Sequence, residues 1–309
     1  MLRYHLAALA LKTLSATPQT RRFYRDVLGN RFGEQRRLQI GLPSYPLQKA
    51  TRFLSLCKEL DLVRNGMRLL EVGTGWMHFY AVFIRLFFDV QVTLVDVWDN
   101  RQLGALQRAF QQLNEGLDRA LTLTPAQSSR AHDLLGAIEK VASFDELYRL
   151  LGFEYRLDTS GVHESLPAGS FDLAFSFDVL EHVERGSLPA LARNLTRLVR
   201  PGGAQYHLVG ISDHLTNYDR SMSQKNYVRY SNPTWRLFFQ NRVQYINRLQ
   251  ASELLAIFAD CGMTLVHEER ATCPLDGIRA SRDFARFDRR DLECTELTMV
   301  LRDGLAAGR

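Results

Sequence analysis

The sequence predicts an α/β fold: a doubly wound, mostly parallel sheet of seven strands, with a helical N-terminal extension and a helical insertion. Three observations carry this. Met67-Arg-Leu-Leu-Glu-Val-Gly73, the apolar stretch Trp76 to Phe88, and Gln91-Val-Thr-Leu-Val-Asp-Val97 read as buried strand, glycine turn, helix and strand, which is one βαβ unit. The alternation of strand and helix resumes between residues 154 and 209. Two apolar runs near the C-terminus, Met263 to Glu269 and Thr295 to Leu301, supply the last two strands.

Taken in order, residues 1–65 read as a helical N-terminal extension, with helices over Ala7 to Leu14 and Gln48 to Leu62 and a Gly/Pro-rich loop at Gly41-Leu-Pro-Ser-Tyr-Pro46. Residues 66–309 form the main domain. Within it, 98–152 is too long for a plain connection and carries helical periods at Leu103, Leu106, Phe110, Leu113 and Leu117, then at Leu134, Leu135, Ile138 and Val141. It is read as a helical insertion, because structureless loops that long are rare in compact domains. Glu154 to Thr159 is the third strand and Phe171 to Phe177 the fourth. Leu188, Leu191, Leu195, Leu198 and Val199 form a helical stripe that Pro201-Gly202-Gly203 stops with a turn before a fifth strand, Gln205 to Val209. A polar, aromatic insertion, 211–248, precedes a helix from Ala251 to Cys261.

Composition narrows the class. An apolar fraction of 46% with 24% charged residues excludes wholesale disorder. The best candidate for a membrane span, Phe79 to Val97, is broken by Arg85, Asp89 and Gln91. Cys57, Cys261, Cys273 and Cys294 lie far apart without a C-x-x-C pair, a pattern that fits reduced thiols and a cytoplasmic protein rather than a disulfide framework. Lys12 and the lack of a small-residue cleavage site argue against a secretory signal. The net charge of +5 is concentrated in residues 1–37, where eight Arg and Lys face only Asp26 and Glu34. That arm, with Leu2, Leu6, Leu9 and Leu14 able to line one face of a helix, suits an anionic partner or peripheral contact at the inner face of a membrane; its plainer reading is a solvated helical face. It is not a basic stripe, and with no nucleic-acid motif present, nucleic acid is not expected as a partner.

The chemistry is concentrated at the carboxyl ends of the first two strands, where a parallel sheet opens its ligand crevice. Glu71-Val-Gly73-Thr-Gly75-Trp76 supplies a turn whose backbone can approach a ligand closely. Asp96 ends the second strand, and a carboxylate there can accept hydrogen bonds from both hydroxyls of a ribose. A nicotinamide dinucleotide site calls for a third glycine where this chain has His78.

These residues resemble the class I S-adenosylmethionine-dependent methyltransferases. Glu71-Val-Gly-Thr-Gly75 resembles the family's first motif and Asp96 its ribose-binding acid. Ser170-Phe-Asp-Leu-Ala-Phe-Ser-Phe-Asp-Val-Leu-Glu-His-Val183 resembles the fourth-strand motif, and Leu198-Val-Arg-Pro-Gly-Gly203 the turn before strand five. The resemblance implies a Rossmann-like sheet and S-adenosyl-L-methionine as cofactor, leaving as S-adenosyl-L-homocysteine. It implies Glu71, Gly73, Gly75 and Trp76 around the methionine portion, Asp96 at the ribose, Val97 and Trp98 beside the adenine, and Phe177 and Asp178 under the sulfonium and amino group. Two departures stand out. Met77 replaces the third glycine of the longer pattern, and the acid expected at the adenine is replaced by Val162, with Asp158 displaced upstream as the nearest substitute.

A hydroxyl acceptor needs a general base, whereas an amine needs only to be neutral. Candidates at the strand ends are His182 after strand four, then Asp213, His214 and Tyr218 after strand five; an unperturbed histidine, with a pKa of about 6.5, suits the task. In relatives with a Glu-His pair like Glu181-His182, the pair also serves simply to shape the pocket. His207, within a strand, reads as a satisfied core histidine, and His163 as a loop cap. No metal site is expected from the spacing, although Asp178, Glu181 and Asp213 could supply oxygen ligands. Segment 211–248, with aromatic residues among Arg220, Arg229, Arg242 and Arg248, suits a polar ring-shaped acceptor, and resembles loosely the bacterial methyltransferases of cell-surface polysaccharide pathways. Three functions compete: O-methylation of a small molecule or a sugar or glycan; N- or C-methylation of a lipid-like or natural-product acceptor; and a cofactor-binding scaffold without turnover.

Overall fold

The computed structural model describes residues 1–275 and 277–304. Helices α1 (Leu2–Leu14), α2 (Pro18–Phe23), α3 (Gly33–Ile40) and α4 (Ser44–Glu59) come first, with a π-helical stretch Tyr24–Phe32 between α2 and α3. Then follow β1 (Arg68–Val72), α5 (Phe79–Phe87), β2 (Gln91–Asp96), α6 (Leu103–Ala120), α7 (Pro125–Ile138), α8 (Phe144–Leu151), β3 (Phe153–Leu157) and β4 (Phe171–Phe177). The chain continues through α9 (Leu188–Leu198), β5 (Val199–Gly210), α10 (Asn232–Phe238), α11 (Ala251–Ala259), β6 (Met263–Thr272), α12 (Arg289–Glu293) and β7 (Cys294–Asp303). The seven strands form one sheet in the order β3-β2-β1-β4-β5-β7-β6, parallel at β1–β2 and β2–β3 and antiparallel at β6–β7.

The chain divides into two compact units. Residues 29–175 and 197–204 form one, the β1–β3 unit; residues 1–28, 176–196 and those from 205 onward form the other, the β6–β7 unit.

In the β1–β3 unit, β1 and β2 are buried after their first residue, as expected of parallel strands covered on both faces. Their register sets Glu71 opposite Leu94 and Val72 opposite Val95; Asp96, one residue further, is opposite Leu157 of β3. Helix α5 buries Phe79, Ala81, Val82, Phe83, Ile84 and Leu86, nearly its whole circumference. Phe79 stacks on Phe110 of α6 with ring centroids 5.5 Å apart. The stretch 98–152 contains α6, α7 and α8, and α6 buries the 3.6-period stripe Leu106, Phe110, Leu113 and Leu117. Thr124 and Ser143 cap α7 and α8 by accepting from backbone N–H groups of their first turns.

In the β6–β7 unit, α1 buries Tyr4, Ala8 and Leu11, spaced to lie along one face. They pack into a core with Leu215, Tyr227, Val228, Trp235, Phe239, Ile246, Phe284 and Leu292. Tyr227 and Trp235, two aromatic residues of segment 211–248, are buried in this core. Leu2, Leu6 and Leu9 instead point outward and are exposed.

Several boundaries differ from the sequence reading. The first helix begins at Leu2 rather than Ala7. The second starts at Ser44, inside the expected Gly41–Pro46 loop, because Pro46 falls in the first turn, where no intrahelical N–H is required. The helix expected from Trp76 begins only at Phe79: His78 is left-handed, with φ 49° and ψ 36°, so Trp76 to His78 form a turn. Strand β5 starts at Val199 and includes Pro201-Gly202-Gly203; the turn geometry survives in Gly202, with φ 77°, but the chain is already strand there.

Candidate functional site

In the β1–β3 unit the chain leaves β1 through Gly73 (φ 68°) and Gly75 (φ 66°), a conformation that L side chains resist. The N–H groups of Gly73 and Thr74 donate to the Val95 carbonyl at 2.9 and 3.3 Å, and the N–H of Gly75 donates to Asp96 Oδ2 at 3.0 Å. The turn is thereby tied to the end of β2. A Cβ placed on Gly75 would meet nothing within 4 Å, so the glycine serves the backbone angle and leaves the loop uncovered.

Asp96 is almost fully buried and also accepts from the N–H of Val97 at 2.8 Å and from the backbone of Trp98. Three backbone donors leave acceptor capacity for a further hydroxyl, since a carboxylate offers about four positions. Burial raises its pKa, partly offset by those donors. Val97 is exposed, Trp98 half-buried, and Trp76 half-buried beneath the Arg37 guanidinium, 4.9 Å from its ring centre.

Glu71 is buried at the end of β1, and desolvation pushes its carboxyl up to about 8. Its Oε2 accepts from Thr74 Oγ1 at 2.9 Å; Thr74 Oγ1 is 2.8 Å from His78 Nδ1; and His78 Nε2 is 3.0 Å from the Tyr148 hydroxyl. Arg101 Nη1 reaches that same hydroxyl at 3.4 Å. Burial drives the His78 pKa down to about 3, so the ring is neutral. Thr74, His78, Arg101 and Tyr148 were absent from the sequence-derived site. The one available signal was a histidine where a glycine is usual. An uncovered glycine turn, a strand-end acid with acceptor capacity and a buried carboxylate able to meet a cationic group together fit a sulfonium nucleoside bearing an amino acid.

Asp158, which the resemblance places nearest the adenine, is engaged within its own loop. Its Oδ1 accepts from Ser160 N and Oγ, and its Oδ2 from His163 N and Nδ1, all at 2.6–3.0 Å. These four bonds make the carboxylate the organiser of the 158–163 loop.

In the β6–β7 unit, β4 ends at Phe177, buried with its ring centre 5.2 Å from that of Tyr206, followed by Asp178 in the left-handed region with φ 53°. A single 3₁₀ turn, Leu180–His182, then presents Glu181 and His182. Asn247 clamps that turn: its N–H donates to Glu181 O at 2.9 Å and its Nδ2 donates to Leu180 O and Val183 O at 2.7 and 3.1 Å. Glu181 is buried and its Oε1 accepts from Gly210 N at 3.2 Å; a Cβ on Gly210 would lie 2.8 Å from that oxygen. The exposed His182 has Nδ1 2.7 Å from the Tyr245 carbonyl, which can only accept. Nδ1 therefore carries the hydrogen, and Nε2 keeps its lone pair. The half-buried His214 lies with its ring centre 5.0 Å from that of His182; burial and that neighbour lower its pKa to about 4. One ligand atom from each of Glu181, His182 and His214 lies within 4.8 Å of the others, a grouping spread over more than thirty positions of sequence.

Tyr218 is exposed, and its hydroxyl accepts from Gln244 Nε2 at 2.9 Å. Asp213 is not at a crevice mouth: it is fully buried, accepting from the Tyr4 hydroxyl at 2.6 Å and the Leu215 N–H at 3.1 Å, so it anchors α1. Arg248 is likewise structural. It is buried 4.8 Å from the ring centres of Trp235 and Phe284 and donates to the carbonyls of Tyr227 and Tyr230. His207 is a satisfied core histidine, 2.8 Å from Ser176 Oγ and 3.0 Å from Gln205 Oε1.

No curated protein matches this sequence. Solved structures similar to it include the 1,6-didemethyltoxoflavin-N1-methyltransferase of Burkholderia thailandensis (17% identity, 84% of this chain and 78% of that one, TM-score 0.45). The geranyl diphosphate C-methyltransferase of Streptomyces coelicolor is 12% identical over 82% of this chain and 79% of that one, with a TM-score of 0.46. The phosphoethanolamine N-methyltransferase 2 of Haemonchus contortus is 13% identical over 92% of this chain and 59% of that one, with a TM-score of 0.48. The family model described as a methyltransferase domain matches residues 42–268 of the 309. The chain therefore belongs to the methyltransferase domain family and is a class I enzyme with S-adenosylmethionine as its cofactor.

Proposed function

We propose that the enzyme methylates a hydroxyl oxygen of a small molecule or of a sugar or glycan. When bound, the cofactor supplies a methyl group on cationic sulfur and leaves as a neutral thioether. The protein's remaining tasks are alignment, desolvation and care of the acceptor's proton. In the β1–β3 unit, Asp96 and the Gly73–Gly75 turn are the residues proposed to hold the nucleoside, and Glu71 the cationic amino acid portion. The observation that supports an oxygen acceptor is the Glu181–His182–His214 grouping, with the His182 tautomer fixed by the Tyr245 carbonyl so that Nε2 presents a lone pair. A hydroxyl has a proton to lose as its oxygen attacks, and needs such a group; a neutral amine does not.

The test is an acceptor screen with purified full-length protein, reading S-adenosylhomocysteine release from matched hydroxyl and amine compounds, sugars included. Turnover confined to hydroxyl acceptors and lost in His182→Ala supports the reading. Turnover on amines or carbon alone, insensitive to His182→Ala, overturns it.

A lipid-like acceptor is favoured by a separate feature. Leu2, Leu6 and Leu9 of α1 and Leu237 and Phe238 of α10 are all exposed, and Lys12 Nζ donates to the Arg236 carbonyl at 3.0 Å, joining the two helices. Apolar side chains beside Arg3, Lys12 and Arg236 match an anionic lipid surface. Sedimentation with phosphatidylglycerol vesicles, weakened by Leu6→Glu and Leu9→Glu, would support this; equal recovery with neutral vesicles would count against it.

A further inference from the structure

We infer that Glu181, His182 and His214 form a binding site for one divalent transition-metal ion. The three residues offer ligand atoms within 4.8 Å of one another. Two ligands about 2.0–2.1 Å from an ion at tetrahedral angles lie roughly 3.4 Å apart, so closure around an ion takes only modest side-chain rotation. His182 is exposed and His214 half-buried.

The surroundings of the three residues match those of metal ligands. The bond from His182 Nδ1 to the Tyr245 carbonyl, 2.7 Å, fixes the ring and aims the lone pair through Nε2, the arrangement that orients ligating histidines elsewhere. Gly210 N holds Glu181 Oε1 at 3.2 Å, at a position where any side chain on residue 210 would collide with the carboxylate. Asn247 locks the turn carrying both Glu181 and His182 through three hydrogen bonds. The ligand-bearing backbone is therefore organised before any ion arrives.

Two imidazoles and one carboxylate favour zinc, cobalt, iron or nickel over magnesium and calcium, which prefer oxygen ligands. Three protein ligands also leave coordination positions open. The ion's role rests on the oxygen-acceptor reading: with the His182 Nε2 lone pair taken up by the ion, a hydroxyl coordinated there would have a lowered pKa and lose its proton to solvent, so that the ion stands in for His182 as the group that deals with that proton. The site itself does not depend on that reading.

The experiment is titration of chelator-treated, full-length protein with Co²⁺, followed by visible absorption and metal analysis. One equivalent should bind, with ligand-field bands, and Zn²⁺ should displace it. His214→Ala and, separately, His182→Ala should each weaken binding more than ~10-fold while circular dichroism in the absence of metal stays unchanged. Absence of saturable binding, affinity unchanged in both variants, or equal competition by Mg²⁺ would overturn the assignment. Metal binding alongside turnover on amines alone would retire the oxygen-acceptor reading and leave the metal site standing.

Discussion

His78 Nδ1 stands 2.8 Å from Thr74 Oγ1, the same hydroxyl that donates to Glu71 Oε2 at 2.9 Å. With Glu71 ionised, every donor in this chain points one way. Arg101 donates to Tyr148, Tyr148 to His78 Nε2, His78 Nδ1–H to Thr74, and Thr74 to Glu71. The left-handed turn at His78 thus exchanges a glycine's freedom for a side chain that joins the glycine loop to α8.

His78→Ala should destabilise the enzyme by about 2–4 kcal/mol, because it opens a cavity, leaves Thr74 and Tyr148 short of a partner and retains the unfavourable φ. Urea unfolding measures this. A loss below about 0.5 kcal/mol, the usual size of a surface substitution, would mean the chain of hydrogen bonds does not hold the loop.

Glu71 carries a pH signature. Its folded pKa, about 8, lies above its ordinary value, so the native state keeps a proton that the unfolded chain has already released. Stability should therefore fall as pH rises from about 4.5 towards 8, by at most about 1.4 kcal/mol per pH unit from this residue. Glu71→Gln removes that slope. Unfolding free energies of the two proteins should diverge in favour of the variant as pH rises, and parallel curves would show that Glu71 is ionised throughout.

Asp96→Ala should lower affinity for S-adenosylhomocysteine about 10- to 100-fold, the value of a hydrogen bond to a charged group. The variant also loses the acceptor for the N–H groups of Gly75 and Val97, so its own Tm should drop. Calorimetric titration separates the two effects. Wild-type affinity in a folded variant would remove Asp96 from the cofactor site.

The features legible in the sequence depend on local geometry. The strands at 68–72, 91–96 and 171–177 announce themselves by apolar runs, and Gly73 and Gly75 by a backbone angle that needs glycine. The parts of the site that were not legible arise at long range. Tyr148 reaches His78 across seventy positions, and His214 meets His182 across thirty-two. Asp213 and Arg248 look like site residues because charged side chains usually face water; the core pairs one with Tyr4 and stacks the other on Trp235.

Lys225 is fully buried, and among the described residues none of its hydrogen-bond acceptors is a carboxylate. Its Nζ lies within 2.8–3.3 Å of the Ile211 and Cys294 carbonyls, the Tyr227 hydroxyl and Gln250 Oε1, four groups among which its hydrogens are shared. Desolvation lowers its pKa to about 7. Between about pH 7 and 10.5 the unfolded chain thus binds a proton that the native state does not, so this residue makes stability rise with pH across that window. Lys225→Met has no such group, and titration common to both proteins cancels in their difference. Wild type minus variant should therefore increase between about pH 7 and about pH 9, by up to about 1.4 kcal/mol per unit. A difference independent of pH would mean that the four surrounding polar groups, with Asp291 and Asp213 at longer range, keep the ammonium charged.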